Sequence, residues 1–358
     1  MSKARSLALK WTDRFLNTVA RDGAVVERLV NRFLFALRKN SSERFYTYHT
    51  RPQRAAAVGL DPVAPIPTDG MIGIVIQGPL LREADFTMET AALYLRTFPT
   101  AHVVISTWQN EDLGQHEIHQ NARLHVVKSV PPKTSGLGTT NYQLVSTRAG
   151  IERLEALGCQ YVLKTRSDQR VYAANLDHYL IAQLHQYPSR SEHQKHRIVE
   201  LSMNICRYRP YSMCDMFQFG HISDMKDMWF AELDERHMST KQFSSRKLTS
   251  RDVSEANIGE IYLHRKYLEK IKADSAVSMR NYYQALLDHF IVIDKEQVDL
   301  YWHKYHCGEY SLAENPTYST DPTARQKARF YHRDWIAGLD AGIDIFPLDD
   351  ALMDRFEN

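Results

Sequence analysis

The sequence predicts an α/β protein with a mostly parallel, doubly wound sheet flanked by helices and preceded by a helical N-terminal extension. Two observations lead to this prediction. Between residues 71 and 165, short apolar runs typical of buried strands alternate with longer segments of helical periodicity. The runs end in polar residues, most clearly in YVLKTRSDQRVY at 161–172, where an apolar strand stops at a dense cluster of charges. Because ligands of such sheets bind just beyond the carboxyl ends of the strands, these ends are the predicted site.

The individual elements follow from local patterns. Strands are expected at 71–76, 102–105, 124–127, 161–165, 198–205, 215–220 and 290–293. Helices are expected at 86–98 and 141–157, and Gly158 suits the position just after the second helix. The polar stretch 186–198 is expected to form an exposed loop, and the polar stretch 234–255 is expected to be mobile. Strands that alternate with helices in this way are typical of parallel sheets covered on both faces.

The chain is expected to contain one main domain with smaller segments at both ends. The predicted regions are a basic amphipathic helical extension at 1–58, a Pro-rich linker at 59–70, the main domain at 71–330 and a C-terminal tail at 331–358. Residues 1–45 contain ten Lys or Arg but only four Asp or Glu, and apolar residues recur there at helical spacing. This pattern predicts either peripheral contact with an anionic membrane surface or a helix packed on the main domain or a second subunit.

Composition excludes several classes of function. A net charge of +2 gives no reason to expect a nucleic-acid partner. The four cysteines form no CxxC pair, which argues against a structural zinc site or a disulfide framework and favours a reducing compartment. Neither a secretory signal nor an apolar run of membrane-spanning length is found, so the expected location is the cytoplasm, either free or at the inner face of the membrane. GxSxG, GxGxxG, P-loop and HExxH motifs are also absent.

The strand ends carry the residue types that a nucleoside-diphosphate site needs. Such a site requires apolar walls, amides for the base, cations for the phosphates and a carboxylate for a divalent ion. The candidate donor-binding residues are Gln77, Gly78, Pro79, Thr107, Trp108, Asn141, Gln143, Lys164, Arg166, Ser167, Asp168 and Arg170. Gly78 in particular permits a close backbone approach. The alternative for the 166–168 segment is a surface turn in which Asp168 caps a helix.

Six segments, in order along the chain, resemble a known family. They are IVIQGP at 74–79, FTMET at 86–90, FPTAHVVISTW at 98–108, NYQLVSTRAG at 141–150, YVLKTRSDQR at 161–170 and MCDMFQFG at 213–220. Over residues 71–310 the chain resembles the WavE family, which is associated with bacterial lipopolysaccharide-core and surface-polysaccharide synthesis. The resemblance implies a glycosyltransferase with a GT-A-like, Rossmann-like fold. KTRSDQR is the most specific of the six segments.

The resemblance also implies a metal site, but the sequence departs from the GT-A pattern there. In that fold a DxD motif at a strand end holds a divalent ion and the donor diphosphate, whereas the matching residues here are Arg166-Ser167-Asp168. We expect Asp168 to hold Mg²⁺ or Mn²⁺ while Arg166 points away to a structural acid. The alternative is direct neutralisation of the diphosphate by arginine. His303 and His306 are further candidate metal ligands, or members of an aromatic packing cluster.

The expected activity is transfer of a sugar from a nucleotide-sugar donor to a glycolipid or oligosaccharide acceptor of the lipopolysaccharide core or surface polysaccharide. Asp215 and Glu260 are the candidate general bases of an inverting transfer, against purely structural roles for both. The sequence leaves inversion and retention open. Two alternatives remain: a sugar-phosphate, polyol-phosphate or nucleotidyl transferase, and a non-catalytic scaffold at the membrane surface.

Overall fold

The structure is a computed structural model that describes residues 23–40, 49–59, 70–114, 117–236, 248–305 and 329–354. The chain divides into two compact units, Met1–Arg51 and Pro52–Asn358. The boundary lies before the predicted end of the extension at residue 58, because the segment after Arg51 is bonded to the main unit. The hydroxyl of Tyr172 donates to the Pro52 carbonyl (2.7 Å) and Arg170 Nη1 donates to the Gln53 carbonyl (2.8 Å).

The first unit contains helix α1, Gly23–Asn40, as the amphipathic pattern predicts. None of its side chains is buried, and Leu29, Phe33 and Phe35 are exposed. Arg38 and Lys39 occupy its last turn, where positive charge is favourable beside the carboxyl end of the helix dipole. Residues 1–22 and most of the predicted linker lie outside the described residues.

The second unit is built around a sheet that, in the described part of the chain, has seven strands in the order β3-β2-β1-β4-β7-β6-β8. The strands are β1 Ile72–Gln77, β2 His102–Trp108, β3 Leu124–Ser129, β4 Tyr161–Arg166, β6 Ile198–Leu201, β7 Gln218–His221 and β8 Phe290–Ile293. A separate antiparallel ribbon pairs β5, Gln169–Val171, with β9, Leu300–Trp302. The ribbon begins three residues after β4 ends, so it lies at the carboxyl edge of the sheet.

The sheet is mostly parallel. Strands β1 to β4 all run in one direction, and β6 is parallel to β8, whereas β7 is antiparallel to both β4 and β6. Every residue of β1 is buried, as expected for a strand covered by helices on both faces. The predicted α/β class with a mostly parallel, helix-flanked sheet and an N-terminal helix is therefore confirmed, and the order is Rossmann-like.

Helices cover both faces of the sheet. They are α2 Phe86–Thr97, α3 Thr140–Ala156, α4 Leu176–Gln186, α5 Ile222–Trp229, α6 Ser250–Glu255, α7 Glu260–Lys270, α8 Met279–His289 and α9 His332–Ala341. Short 3₁₀ turns occur at Ala55–Ala57, Glu83–Asp85, Glu117–Gln120, Leu137–Thr139, Lys295–Val298, His303–Tyr305, Ile343–Ile345 and Asp350–Asp354. Helix α3 lies very close to β1, because a Cβ on Gly150 would come within 2.6 Å of Val75 Cγ1. None of the described helices combines the length and hydropathy that a membrane span requires.

The C-terminal part of the chain differs from the predicted tail at 331–358. Helix α9 packs into the main unit, with Trp335 fully buried and its indole N–H donated to the Leu286 carbonyl (3.1 Å). The strand expected at 215–220 is shorter and begins at Gln218. The carbonyl of Asp215 accepts a hydrogen bond from the Lys164 ammonium group, so a side chain satisfies it in place of a neighbouring strand.

Candidate functional site

A cavity of about 540 Å³ lies at the carboxyl ends of β1, β2 and β4, where ligands of doubly wound sheets bind. Nine predicted site residues line it: Gln77, Gly78, Pro79, Trp108, Gln143, Arg166, Ser167, Asp168 and His303. Five other lining residues are not among the predicted ones: Leu80, Leu81, Thr139, Tyr142 and Lys304. The parallel strands therefore bring together residues that are up to 227 positions apart, from Gln77 to Lys304.

Hydrogen bonds between the ends of β1 and β4 shape the floor of the cavity. Gly78 has φ +126°, which side chains rarely tolerate, and its N–H donates to the Ser106 carbonyl (3.1 Å). A Cβ at Gly78 would lie 2.8 Å from Ser167 Oγ. That hydroxyl donates to the Pro79 carbonyl (2.6 Å), and the Ser167 N–H donates to the Gln77 carbonyl (2.9 Å). The two strand ends are thus held together across a space that only glycine leaves open.

Gln77 contributes an unsatisfied polar atom beside the cavity. Its side chain is only 5% exposed, and Nε2 donates to Ser146 Oγ (2.9 Å). Its Oε1 has no hydrogen-bond partner within the part of the chain that the structure describes. A buried acceptor without a partner is costly, so a ligand N–H or O–H that reached it would be favoured.

Two aromatic rings form one wall. The indole of Trp108, at the end of β2, and the ring of Tyr142, in the first turn of α3, meet edge to face with centroids 5.4 Å apart. Trp108 is nearly buried, whereas Tyr142 is 36% exposed and presents free ring surface. Aromatic faces of this kind stack on nucleobases. A tyrosine between two predicted site residues, Asn141 and Gln143, was the available sequence signal for this wall.

The charged side of the cavity is a paired arginine and aspartate. Arg166 donates from Nε to Asp168 Oδ1 (2.8 Å) and from Nη2 to Asp168 Oδ2 (3.0 Å). The indole N–H of Trp302, in β9, also donates to Asp168 Oδ2 (3.1 Å). Burial acts to raise the pKa of Asp168, but the hydrogen bond and charge of Arg166, with help from Trp302, outweigh it and lower that pKa. The expectation that Arg166 points away to another acid is therefore wrong.

The described residues fit a divalent ion poorly. Both oxygens of Asp168 already accept hydrogen bonds. Two of these three bonds come from Arg166, whose positive charge would repel a metal ion. His303 Nε2 lies 3.6 Å from Glu83 Oε2, and the His303 ring packs on Phe86 with centroids 5.1 Å apart. Among residues that the structure describes, no three His, Cys, Asp or Glu side chains form a metal-binding group. His306 lies outside the described residues.

Four predicted donor-binding residues do not line the cavity. Thr107 is fully buried in β2, and the Asn141 side chain donates to the carbonyls of Thr134 (3.1 Å) and Asp234 (2.8 Å). Arg170 is 1% exposed and is bound within the protein: Nε donates to Thr90 Oγ1 (2.9 Å) and Nη2 to the Phe86 carbonyl (2.9 Å). The structure therefore gives Arg170 a packing role between the strand-end segment and α2.

Lys164 is the fourth of these residues and lies behind the cavity. It is fully buried, with Nζ 4.6 Å from the centroid of the Trp229 ring, and burial lowers its pKa to about 8. It also donates to the Asp215 carbonyl. The Asp215 carboxylate in turn accepts a hydrogen bond from Gln143 Nε2 (2.6 Å). Asp215 thus contacts a residue of the cavity wall without lining the cavity itself.

Glu260 does not line the cavity either. Its Oε1 accepts a hydrogen bond from Ser212 Oγ (3.0 Å), and burial raises its pKa. None of the cavity-lining side chains is among its hydrogen-bond partners in the described part of the chain. Of the two candidate bases, Asp215 is therefore the better connected to the site.

Comparison with known proteins identifies the family. A family model described as WavE lipopolysaccharide synthesis matches residues 72–318, which span β1 to β9 and every described residue of the cavity wall. A search of curated proteins gives no match. The family model covers more than half of the chain and assigns it a role in lipopolysaccharide synthesis. The chain belongs to the WavE lipopolysaccharide synthesis family.

Proposed function

We propose that the protein is a glycosyltransferase that moves a sugar from a nucleoside-diphosphate donor to a lipopolysaccharide-core or surface-polysaccharide acceptor. The observation that supports this most is one cavity, at the carboxyl ends of parallel strands, with an aromatic wall at one side and an arginine at another. A nucleobase and a diphosphate require these two environments within one site. Membership of a lipopolysaccharide-synthesis family makes a sugar the natural third part of the ligand.

The residues in and beside the cavity have separate roles in donor binding and sugar transfer. Trp108 and Tyr142 hold the base, and the free Oε1 of Gln77 accepts a hydrogen bond from the nucleoside. Gly78 lets the ligand approach the backbone at the end of β1. Arg166 lies beside the diphosphate, where positive charge stabilises the transition state as the leaving group gains negative charge. Asp215, through Gln143, is the proposed base or orienting group on the acceptor side.

Product analysis tests this function. The purified full chain is incubated with a panel of nucleotide sugars and a truncated lipopolysaccharide core, and the released nucleotide is identified. We expect one donor to give a nucleoside diphosphate and an extended acceptor. Release of a monophosphate instead would indicate sugar-phosphate or polyol-phosphate transfer, and release of pyrophosphate from a nucleoside triphosphate would indicate a nucleotidyltransferase. An unchanged acceptor with every donor would favour the scaffold.

We also propose that α1 brings the enzyme to the inner face of the membrane, where lipid-linked acceptors are found. Its exposed apolar residues Leu29, Phe33 and Phe35 and its basic residues Arg28 and Arg32 are typical of a helix that lies on an anionic surface. Each basic residue near such a surface contributes about 1 kcal/mol. The full chain should therefore sediment with phosphatidylglycerol vesicles, and a chain without residues 1–44 should not. Equal sedimentation of both would contradict this proposal.

A further inference from the structure

We infer that Arg166 takes the place of a divalent ion in this cavity, and that Asp168 is a positioning residue for the guanidinium rather than a metal ligand. The inference rests on the proposed function, since it concerns how the same site binds a nucleoside diphosphate. It specifies a donor site that works in the absence of Mg²⁺ and Mn²⁺.

The carboxylate of Asp168 already has protein donors on both of its oxygens. Its two carboxylate oxygens accept three hydrogen bonds, from Arg166 Nε, Arg166 Nη2 and Trp302 Nε1, at 2.8, 3.0 and 3.1 Å. Only 18% of the Asp168 side chain is exposed. A metal at this carboxylate would have to displace a bidentate arginine, which is among the strongest ion pairs in proteins, and then remain beside its positive charge.

The described wall of the cavity contains more basic than acidic side chains. Within the described chain, the Asp, Glu, Lys and Arg residues that line the cavity are Arg166, Lys304 and Asp168, two positive and one negative, so their sum is +1. The single carboxylate is already paired with Arg166. A site with a net positive wall suits a diphosphate alone, whereas a metal site usually gathers negative ligands that need the cation.

The guanidinium of Arg166 is held in a fixed position by its neighbours. Arg166 is held by Asp168 on one edge, and its guanidinium carbon lies 5.8 Å from the centroid of the Trp302 ring. Its side chain is 27% exposed and contributes to the cavity wall. A planar guanidinium with a fixed orientation binds phosphate oxygens in a geometry that lysine does not reproduce. Asp168 therefore acts through Arg166.

A second pair in the chain has the same geometry and a different setting. Arg236 donates from Nε to Asp234 Oδ1 (2.8 Å) and from Nη2 to Asp234 Oδ2 (3.0 Å), as Arg166 does to Asp168. Arg236 also donates to the carbonyls of Ala256 and Asn257, both at 2.7 Å, and neither partner of this pair lines the cavity. The Arg236–Asp234 pair is a structural brace, and Arg236→Gln is a matched control for Arg166→Gln.

Calorimetric titration of the full chain, freed of metal, tests the inference. The probes are uridine, guanosine, cytidine, adenosine and thymidine diphosphates and inorganic pyrophosphate, each with EDTA and with Mn²⁺. We expect at least one nucleoside diphosphate to bind in EDTA with an affinity close to that in Mn²⁺. Arg166→Gln should weaken this binding about 10- to 100-fold, the contribution expected of hydrogen bonds to a charged group. Arg166→Lys should restore only part of it, and Arg236→Gln should retain wild-type affinity.

The variant Asp168→Asn distinguishes two roles of Asp168, positioning of Arg166 and ligation of a metal ion. If Asp168 positions Arg166, the asparagine keeps the shape and one acceptor, so affinity in EDTA should fall less than in Arg166→Gln. If Asp168 holds a metal, the asparagine variant should instead lose the response to Mn²⁺. Melting curves establish that each variant is folded before titration.

Three results would overturn the inference. The inference is overturned if a nucleoside diphosphate binds only with Mn²⁺ and this binding disappears in Asp168→Asn. That result would still support the proposed donor site. Binding in EDTA that Arg166→Gln leaves unchanged would also overturn the inference. Binding of no probe under either condition would overturn the proposed function and this inference together.

Discussion

The two halves of the central sheet both contain polar side chains but use them differently. In the parallel half, β1, β2 and β4 end in residues that line a cavity. In the other half, Glu200 of β6 and Gln218 of β7 are fully buried and bonded to each other, with Gln218 Nε2 2.6 Å from Glu200 Oε1. The polar side chains of the second half therefore bond mainly to one another, although Glu200 Oε2 has no partner in the described part of the chain, whereas those of the first half face a cavity.

The positions of these residues along their strands explain the difference. Parallel strands place all their carboxyl ends at one edge, where side chains from distant segments surround a common space. Glu200 of β6 and Gln218 of β7 are paired in register across an antiparallel ladder, so their side chains meet within the sheet and not beyond its carboxyl ends. There His264 Nε2 binds Glu200 Oε1 (2.7 Å) and Trp229 Nε1 donates to Gln218 Oε1 (2.7 Å). We call these four residues the closed cluster, because none of them lines the cavity. A missing partner alone therefore does not indicate a binding site: Gln77 Oε1 and Glu200 Oε2 both lack one, but only Gln77 lines the cavity.

The largest predicted effect is on the closed cluster. His264→Leu should lower the free energy of unfolding by about 3–5 kcal/mol, because it leaves the Glu200 carboxylate buried without its partner. Urea denaturation measures the loss. The double variant Glu200→Gln with His264→Leu should recover part of it, since the buried charge is then gone. A loss below about 1 kcal/mol in the single variant would show that the cluster is not a structural unit.

Acid should weaken the same half of the molecule. His289 ends α8 just before β8, and burial lowers its pKa to about 4 from an ordinary value of 6.5. The unfolded chain therefore binds a proton at higher pH than the folded chain, so stability falls as pH decreases from 6.5 towards 4, by up to about 3 kcal/mol. His289→Gln should flatten this part of the pH profile of the melting temperature. Identical slopes for both proteins would remove His289 as the cause.

The aromatic wall should affect binding rather than stability. Tyr142→Ala should weaken nucleoside-diphosphate binding by about 1–3 kcal/mol, the contribution of one base stacked on an aromatic ring. Its partial exposure means that the free energy of unfolding should change little. Tyr142→Phe retains the ring and should retain the affinity. Equal nucleoside-diphosphate affinity of the alanine variant and the wild type would show that the nucleobase does not stack on Tyr142.

The smallest effect is expected at the end of β1. Gly78→Ala introduces strain at φ +126° of about 1–2 kcal/mol and presses on Ser167, so it should lower both stability and nucleotide affinity. Gly259→Ala is the control, because Gly259 also has positive φ (+57°) but a Cβ there would meet nothing within 4 Å. That variant should lose stability alone. Equal affinity losses in the two variants would mean that strain, and not the contact with Ser167, is responsible.

Much of the parallel half could be predicted from the sequence. The strands expected at 71–76, 102–105, 124–127 and 161–165 and the helices at 86–98 and 141–157 are confirmed to within a few residues, because buried apolar runs dictate them. Helices α4, α5, α6, α8 and α9 were not predicted, and α6 lies at the end of the polar stretch 234–255. Helix α9 lies in a polar segment whose few apolar residues, such as Trp335, become significant only through the surface on which they pack.

The site was predicted in outline but not in its electrostatics. Period-2 alternation places Lys164 and Arg166 on one face of β4, and nothing in the sequence distinguishes them. The fold covers Lys164 with Trp229 and leaves Arg166 at the cavity. The sequence likewise does not distinguish Arg170 from a phosphate ligand, whereas in the structure its guanidinium donates to Thr90 Oγ1 and to the Phe86 carbonyl. Long-range contacts decide which charges are buried, and a local pattern does not contain them.

Hydrogen exchange with and without a nucleoside diphosphate tests the central claim most directly, because it reports on both halves of the sheet in one experiment. In EDTA, the account predicts slower amide exchange at 77–81, 139–143 and 166–168, with little change at 198–205 and 214–221. Unchanged exchange at the three cavity segments, or protection centred on the closed cluster of β6 and β7, would contradict it.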